Sequence, residues 1–379
     1  MADARYWVWF ALRMKAGDPA NELLEAFSSP EKVYMASRSE LERMERLPKK
    51  MLDRLMDKSM EETERVLSVC RTKGIRVITY RDADYPSPLR AIPDPPLVLY
   101  AIGSMPDFGK ILPIAIVGTR RASFYGMHLA QNLGNRLAMA GAYVVTGMAA
   151  GIDASANRGA MKTGMPGCVV LGTAIDTVYP RSSEDVYTWM RSNGLILSEY
   201  PPGSETHSYH FPERNRIVSG LSRGVVLVEA PMRSGSLITA RLALEQGKEV
   251  FAVPGNIDAP SFEGSNRLLV AGEARAIMSV RDILEEYEWQ YTRYTTEEEA
   301  EKLLHIESAG IPSGKASEET APADEKDEKI MEALAGKALS AEELTAVTAI
   351  PAGELFTRLT MLEINGKIKA DGGRYYRVC

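Results

Sequence analysis

Cysteine and histidine are scarce in this chain of 379 residues, three of one and four of the other. Cys70, Cys168 and Cys379 are odd in number and far apart, and no CxxC or Cys/His cluster exists. Neither a disulfide framework nor a structural zinc is indicated, and a reducing, cytoplasmic setting is expected. His207 and His210 form an HxxH without a carboxylate as third ligand, a poor metal site. His128 and His305 read as ordinary surface or core residues. Ser123, Ser234 and Ser236 have no evident base partner, which leaves nucleophilic catalysis unsupported. Asp153, Asp176, Glu199, Glu229 and Asp258 fall near strand ends, but their spacing matches no nuclease motif. No catalytic residue, metal or cofactor is expected. Long apolar runs are missing too, since no segment reaches the roughly 18 residues a membrane helix needs. The N-terminal MADARYWVWFALRMKAG has an apolar centre but no basic n-region or small-residue cleavage site. It reads as a buried helix.

What is present is ordinary for a globular protein: 45% hydrophobic and 25% charged residues. The length suggests two or three domains. A net charge of −6 argues against a polyanionic partner until its distribution is examined. Between Glu297 and Glu328 stand eleven acidic and three basic residues, −8 in all, which leaves the rest of the chain at +2. A local basic surface, not the total, decides binding to nucleic acid.

Residues 1–80 read as small helices, with Ser29-Pro30 and Ser39 as starts and Gly74 as a stop. Leu41, Met44, Leu52, Leu55, Met56 and Leu67 recur at helical spacing as one small core. The size fits a SAM-like or helix-hairpin-helix module. Leu47-Pro48-Lys49-Lys50 stands where a phosphate-gripping hairpin would carry glycine, so a scaffold is the better reading. A proline-rich segment leads to a strand over Leu97–Ala101, expected at an edge. From Ile114 the runs IAIVG, YVVTG, CVVLG, LILSE, VVLVEA and VFAVPG alternate with helical segments. This is the pattern of a Rossmann-like, doubly wound, mostly parallel sheet over 81–290. In the first of its helices Ser123 can cap, Leu129, Leu133 and Leu137 line one face, and Gly141 sits just past the end. An acidic flexible linker is expected over 291–323. A winged helix-turn-helix is expected over 324–379, with helices at Lys329–Ala335, Ser340–Ala346 and Pro351–Asn365 and a wing turning at Asp371-Gly372-Gly373.

Three strand-to-helix junctions are rich in small residues. They are Gly118-Thr119-Arg120-Arg121-Ala122-Ser123, Thr146-Gly147-Met148-Ala149-Ala150-Gly151 and Arg233-Ser234-Gly235-Ser236. In an open α/β sheet such loops gather at the carboxyl edge, where glycine admits close backbone approach and helix N-termini offer N–H groups to anions. The segment Phe211-Pro212-Glu213-Arg214-Asn215-Arg216 adds guanidinium groups for phosphate and a ring for stacking on a base. The competing reading makes Phe211 core and pairs the arginines with Glu199, Glu205 or Glu213. With Lys248, these residues would line one phosphate-binding groove. A dinucleotide oxidoreductase is disfavoured: GTRRASFYG is not GxGxxG, and Thr146-Gly147 stands where a ribose-binding carboxylate belongs.

The stretches VGTRRASFYG, TGMAAGIDASANRGA, LGTAIDTVYP, FPERNRIVSGLSRGVVLVEAPMRSGSLITARLALEQGKEVFAVPG and GSNRLL occur in the order found in the DprA/Smf family, and over roughly residues 80 to 285 the chain resembles it. Two positions depart: Asn157 replaces the usual His of AAHRGAL, and Gly172-Thr173-Ala174-Ile175-Asp176 replaces GTGLD. The resemblance implies binding of single-stranded DNA, transfer of that DNA to the RecA recombinase during natural transformation, and a homodimer. A self-association helix is implied near Gly264–Val270, with Leu268 and Leu269 as the apolar contacts. The alternative is a nucleotide-processing enzyme of the lysine-decarboxylase-like, phosphoribohydrolase type, whose PGGxGT signature is absent here.

Overall fold

The computed structural model of the protein describes residues 2–15, 17–44, 47–288, 325–335, 337–351 and parts of 355–377. They belong to two units, Met1–Ser308 and Ala309–Cys379. The stretch 291–323, expected as a linker, lies outside the described residues.

The first unit opens with six helices: α1 (Ala2–Arg13), α2 (Ala20–Phe27), α3 (Pro30–Met35), α4 (Arg38–Glu42), α5 (Lys49–Met56) and α6 (Glu61–Lys73). In α1, Trp7, Val8, Trp9 and Phe10 are all buried, so this helix needs cover on every side. Ser29 caps α3 through the Lys32 N–H, with Pro30 in the first turn. Ser37, not Ser39, caps α4, in a reciprocal box with Glu40. Gly74 ends α6 in the left-handed conformation, φ 65°. The helical core does not stand apart. Trp7, Leu41, Met51 and Leu55 share one cluster with Tyr100, Val169, Leu171, Ile196 and Met190 of the following segment. The region read as a module over 1–80 is thus packed onto the sheet.

That sheet has nine strands: β1 (Arg76–Thr79), β2 (Val98–Gly103), β3 (Pro113–Val117), β4 (Tyr143–Thr146), β5 (Cys168–Leu171), β6 (Leu195–Ser198), β7 (Gly224–Leu227), β8 (Glu249–Ala252) and β9 (Arg275–Ala276). Their order is β1-β2-β6-β5-β4-β3-β7-β8-β9. From β6 to β9 every pairing is parallel, while β2 joins β6 and β1 joins β2 antiparallel. The edge therefore belongs to β1, and β2 is an inner strand.

Between the strands run α7 (Phe124–Met139), α8 (Ile152–Met161), α9 (Glu184–Asn193), α10 (His210–Leu221), α11 (Gly235–Glu245) and α12 (Glu263–Val270), followed by α13 (Arg281–Leu284). Both faces of the sheet are covered, which explains why the strands read as unbroken apolar runs. Ile114 and Ile116 pack with Leu133 and Leu137 of α7 and Ala156 of α8. Ala115 and Val117 point the other way, toward Val218 and Leu221 of α10 and Ala240 of α11. The order in which strands are added reverses at β3, whose parallel neighbours are β4 on one side and β7 on the other. A crevice opens at the carboxyl ends where such a switch occurs.

In the second unit a helix at Glu325–Ala333 and another at Ala341–Thr348 pack Ile330, Leu334 and Leu344 with Leu355, Leu359 and Ile368. Ser340 caps the second helix in a box with Glu343. The strands Ile368–Asp371 and Arg374–Arg377 form the expected hairpin, with Asp371 opposite Arg374, and Leu339–Ser340 adds a third strand. The helix expected over 351–365 falls largely outside the described residues.

Candidate nucleic-acid interface

At the switch between β3, β4 and β7 lies a cavity of about 560 Å³. All three small-residue loops reach it: Gly118, Thr119, Arg120 and Arg121 after β3, Gly147 and Ala149 after β4, and Arg233, Ser234, Gly235 and Ser236 at the start of α11. The first two turns of α10 contribute Phe211, Arg214 and Asn215, and the loop residues Tyr179 and Ser208, which sequence reasoning missed, add to the wall. Thr119 is fixed by its own N–H, which donates to the Glu229 carbonyl at 2.7 Å. Asn215 ties α10 to the third loop by donating to the Gly235 carbonyl at 3.3 Å. Ser234 caps α11.

Arg120, Arg121 and Arg233 are exposed, and none of them takes part in an ion pair among the described residues. The Arg120 guanidinium lies 4.8 Å above the Phe211 ring, and the Tyr179 ring is 5.4 Å from it at 36°. Phe211 is half-buried, seated against Gly172, where a Cβ would come within 2.8 Å of the ring. It is not a core residue but a shelf that carries Arg120.

Arg214 lines the same cavity in a different way. It is 4% exposed, and its Nη1 donates to the Gly147 carbonyl at 2.6 Å and to that of Val170. The N–H of Gly147 in turn donates to the Asp153 carboxylate at 2.9 Å, and that of Ala149 does so at 3.4 Å. Burial pushes the Arg214 guanidinium down to about 10 and the Asp153 carboxyl up to about 6, while each charge opposes the other's shift. A side chain at Gly147 would collide with the guanidinium at 2.6 Å, so close approach demands glycine there. Arg214 thus braces the cavity floor, and its guanidinium is already engaged by backbone.

Four other expectations need correction. Arg216 is not in the cavity: two residues beyond Arg214 on a helix it points about 200° away. There it pairs with Asp94 at 3.1 Å and Glu199 at 2.7 Å. Lys248 precedes β8 and so sits at the amino edge of the sheet, opposite the cavity, half-buried and with its ammonium held down by burial and by Arg223. Gly151 opens α8 at φ 80°, packed against the Thr119 carbonyl, and does not line the cavity. Near the expected self-association surface, Leu268 is buried within the chain and Leu269 half-buried, whereas Val270 is 90% exposed.

Ser123 is also committed elsewhere, to a residue whose role the sequence concealed. Glu229 is fully buried at the N-terminus of α7. Its carboxylate accepts from the Ser123 N–H at 3.1 and 3.2 Å and from the Ser123 hydroxyl at 2.9 Å. A Cβ on Gly126 would fall 1.9 Å from it. This helix terminus is where an open α/β fold ordinarily holds a phosphate, and here the chain's own carboxylate fills it. The only signal in the sequence was an acidic residue closing the apolar run VVLVEA.

Asn157, one of the two departures from the family pattern, is buried behind β4 and donates to the Thr146 hydroxyl at 2.7 Å, so it supports the second loop.

Comparison with known proteins bears on this arrangement. The DNA recombination-mediator protein A family matches residues 76–288, and the DprA winged helix domain matches 314–374. DNA processing protein DprA of Bacillus subtilis is 41% identical over 231 residues, 61% of this chain and 77% of that one. Protein Smf of Synechocystis is 30% identical over 396 aligned residues, 99% of each chain. The structure of DNA processing protein A from Helicobacter pylori, reported for its single-stranded DNA binding mode, is 31% identical, with a TM-score of 0.52 over 57% of this chain and 97% of that one. Matched along its core, at its C-terminus and over nearly its whole length, the chain belongs to the DNA recombination-mediator protein A (DprA/Smf) family.

Proposed function

We propose that this protein binds single-stranded DNA in the cavity at the carboxyl ends of β3, β4 and β7, and hands it to the RecA recombinase during DNA uptake without acting on it chemically. The observation that carries the reading is the set of three exposed arginines, Arg120, Arg121 and Arg233, on one rim, none of their guanidinium groups in an ion pair among the described residues. Such groups meet phosphates bidentately. Asn215 and the backbone of Ser234–Ser236 add neutral donors, and Phe211 with Tyr179 supplies ring faces beside them. The single-stranded DNA binding mode reported for the Helicobacter pylori relative supports the same assignment.

A nucleotide-processing enzyme is the weaker reading, because Glu229 already occupies the α7 terminus a mononucleotide phosphate would seek. Further parts of the proposal are a homodimer contacted around exposed Val270, a cytoplasmic location, and a core over 81–290 that acts apart from the winged helix at 324–379. No helix among the described residues is long and apolar enough to cross a membrane. Titration of a labelled oligothymidylate, followed by anisotropy, tests the binding, with a mononucleotide as the competitor expected to fail. Tight binding or turnover of the mononucleotide would favour the enzyme.

A further inference from the structure

The loop entering α10 carries rings that the cavity does not use. Ser208 lines the cavity, while its neighbours His207 and Tyr209 are exposed. Their rings are parallel to within 5°, with centroids 5.2 Å apart. Tyr209 is 55% exposed and the His207 side chain 45%. Behind them His210 stands edge-on to both, 5.1 Å from His207 and 4.7 Å from Tyr209. His210 is itself stacked on Tyr200 at 3.8 Å, and the Tyr200 hydroxyl donates to Glu213 at 3.0 Å. The pair is braced on its inner side and open on its outer one.

Resting on the single-stranded DNA reading, the geometry points to a second stacking position: a base of the strand leaving the cavity lies on the His207–Tyr209 pair. Ser208, the residue between the two rings, lines the cavity, so the platform stands at the cavity's rim within a few ångströms of chain from it. Aromatic faces take any base, and a nucleic-acid strand presents one at each step. The Glu205 carboxylate, 3.9 Å from His207 Nε2, repels phosphate and leaves the rings to the base alone.

Anisotropy titrations of the full chain with oligothymidylates of increasing length read this directly. Against wild type, H207A/Y209A should bind the shortest oligonucleotides equally and lose on the order of 10-fold for those long enough to reach the platform. The salt slope should not change, because every cation that meets a phosphate is still in place. Tyr209→Trp should retain wild-type affinity. An oligonucleotide lacking the base at the outer position should weaken against wild type and not further against H207A/Y209A, an arm that does not depend on the variant's folding. Equal affinity of H207A/Y209A and wild type at every length, with the abasic oligonucleotide bound as tightly as the intact one, overturns the platform and leaves the cavity reading standing. Failure of wild type to bind any oligothymidylate overturns both.

Discussion

Replacing Arg214 by Ala should lower the stability of the fold itself and not simply weaken a contact with DNA. The guanidinium is buried and bridges Gly147 at the end of β4 to Val170 in β5. Its removal leaves two buried carbonyls without their donor and the Asp153 carboxylate without its neighbouring positive charge. Breaking such a buried arrangement costs about 3–5 kcal/mol, a large share of the roughly 5–15 kcal/mol that holds a domain folded. The cost should depend on pH. In the folded wild type burial holds the Asp153 carboxyl up to about 6, above its ordinary 3.8. A raised carboxyl contributes stability that is complete below about pH 4 and is lost as pH rises through about 6. Without Arg214 the carboxyl rises further, so the loss extends to higher pH. Urea denaturation at about pH 5 and about pH 7.5 should therefore show the smaller penalty for Arg214→Ala at the lower pH. Adding Asp153→Asn should recover part of it at the higher pH. Wild-type stability of Arg214→Ala at both pH values, together with a collapse of oligonucleotide affinity, would instead make Arg214 a phosphate ligand.

Arg216→Ala should lower stability through Asp94 and Glu199 and leave the salt dependence of DNA binding untouched; a flattened slope would return Arg216 to the groove. Glu229→Ala removes the acceptor of the Ser123 N–H and hydroxyl, and should cost about 1–3 kcal/mol in urea denaturation, as for other buried groups left unsatisfied. Deleting residues 324–379 should leave oligothymidylate affinity within a few-fold of the full chain, since every residue lining the cavity belongs to the first unit. Loss of most affinity on truncation would move the site to the winged helix.

The parallel core was legible because burial on both faces writes each strand as a short apolar run, and all six such runs became strands β3 to β8. The outer strand β1 was not legible: RVIT lies just past a helix stop and carries no periodicity of its own. Ser37 and Ser39 each have Glu three residues on, at Glu40 and Glu42, so the box motif fits both starts and only the fold selects the first. At the site, residues from all three glycine-bearing loops line one cavity, while Gly151 and Ser123 of the same loops do not. The run Glu213-Arg214-Asn215-Arg216 did not announce that it is helical, and a helix sends its two arginines to opposite sides. Glu229 stayed hidden because a buried carboxylate partnered across 106 residues leaves no local pattern.

The salt dependence of oligothymidylate binding tests the central claim most directly, with Arg120→Ala, Arg121→Ala and Arg233→Ala measured beside wild type. All three are exposed, so each variant should stay within about 0.5 kcal/mol of wild-type stability. Each should bind every sequence more weakly, and the slope of log affinity against log salt should flatten by about 0.7 for each phosphate that is no longer neutralised. Folded variants that bind as tightly as wild type with an unchanged slope would contradict the account, because the rim arginines would then be no more than solvated surface.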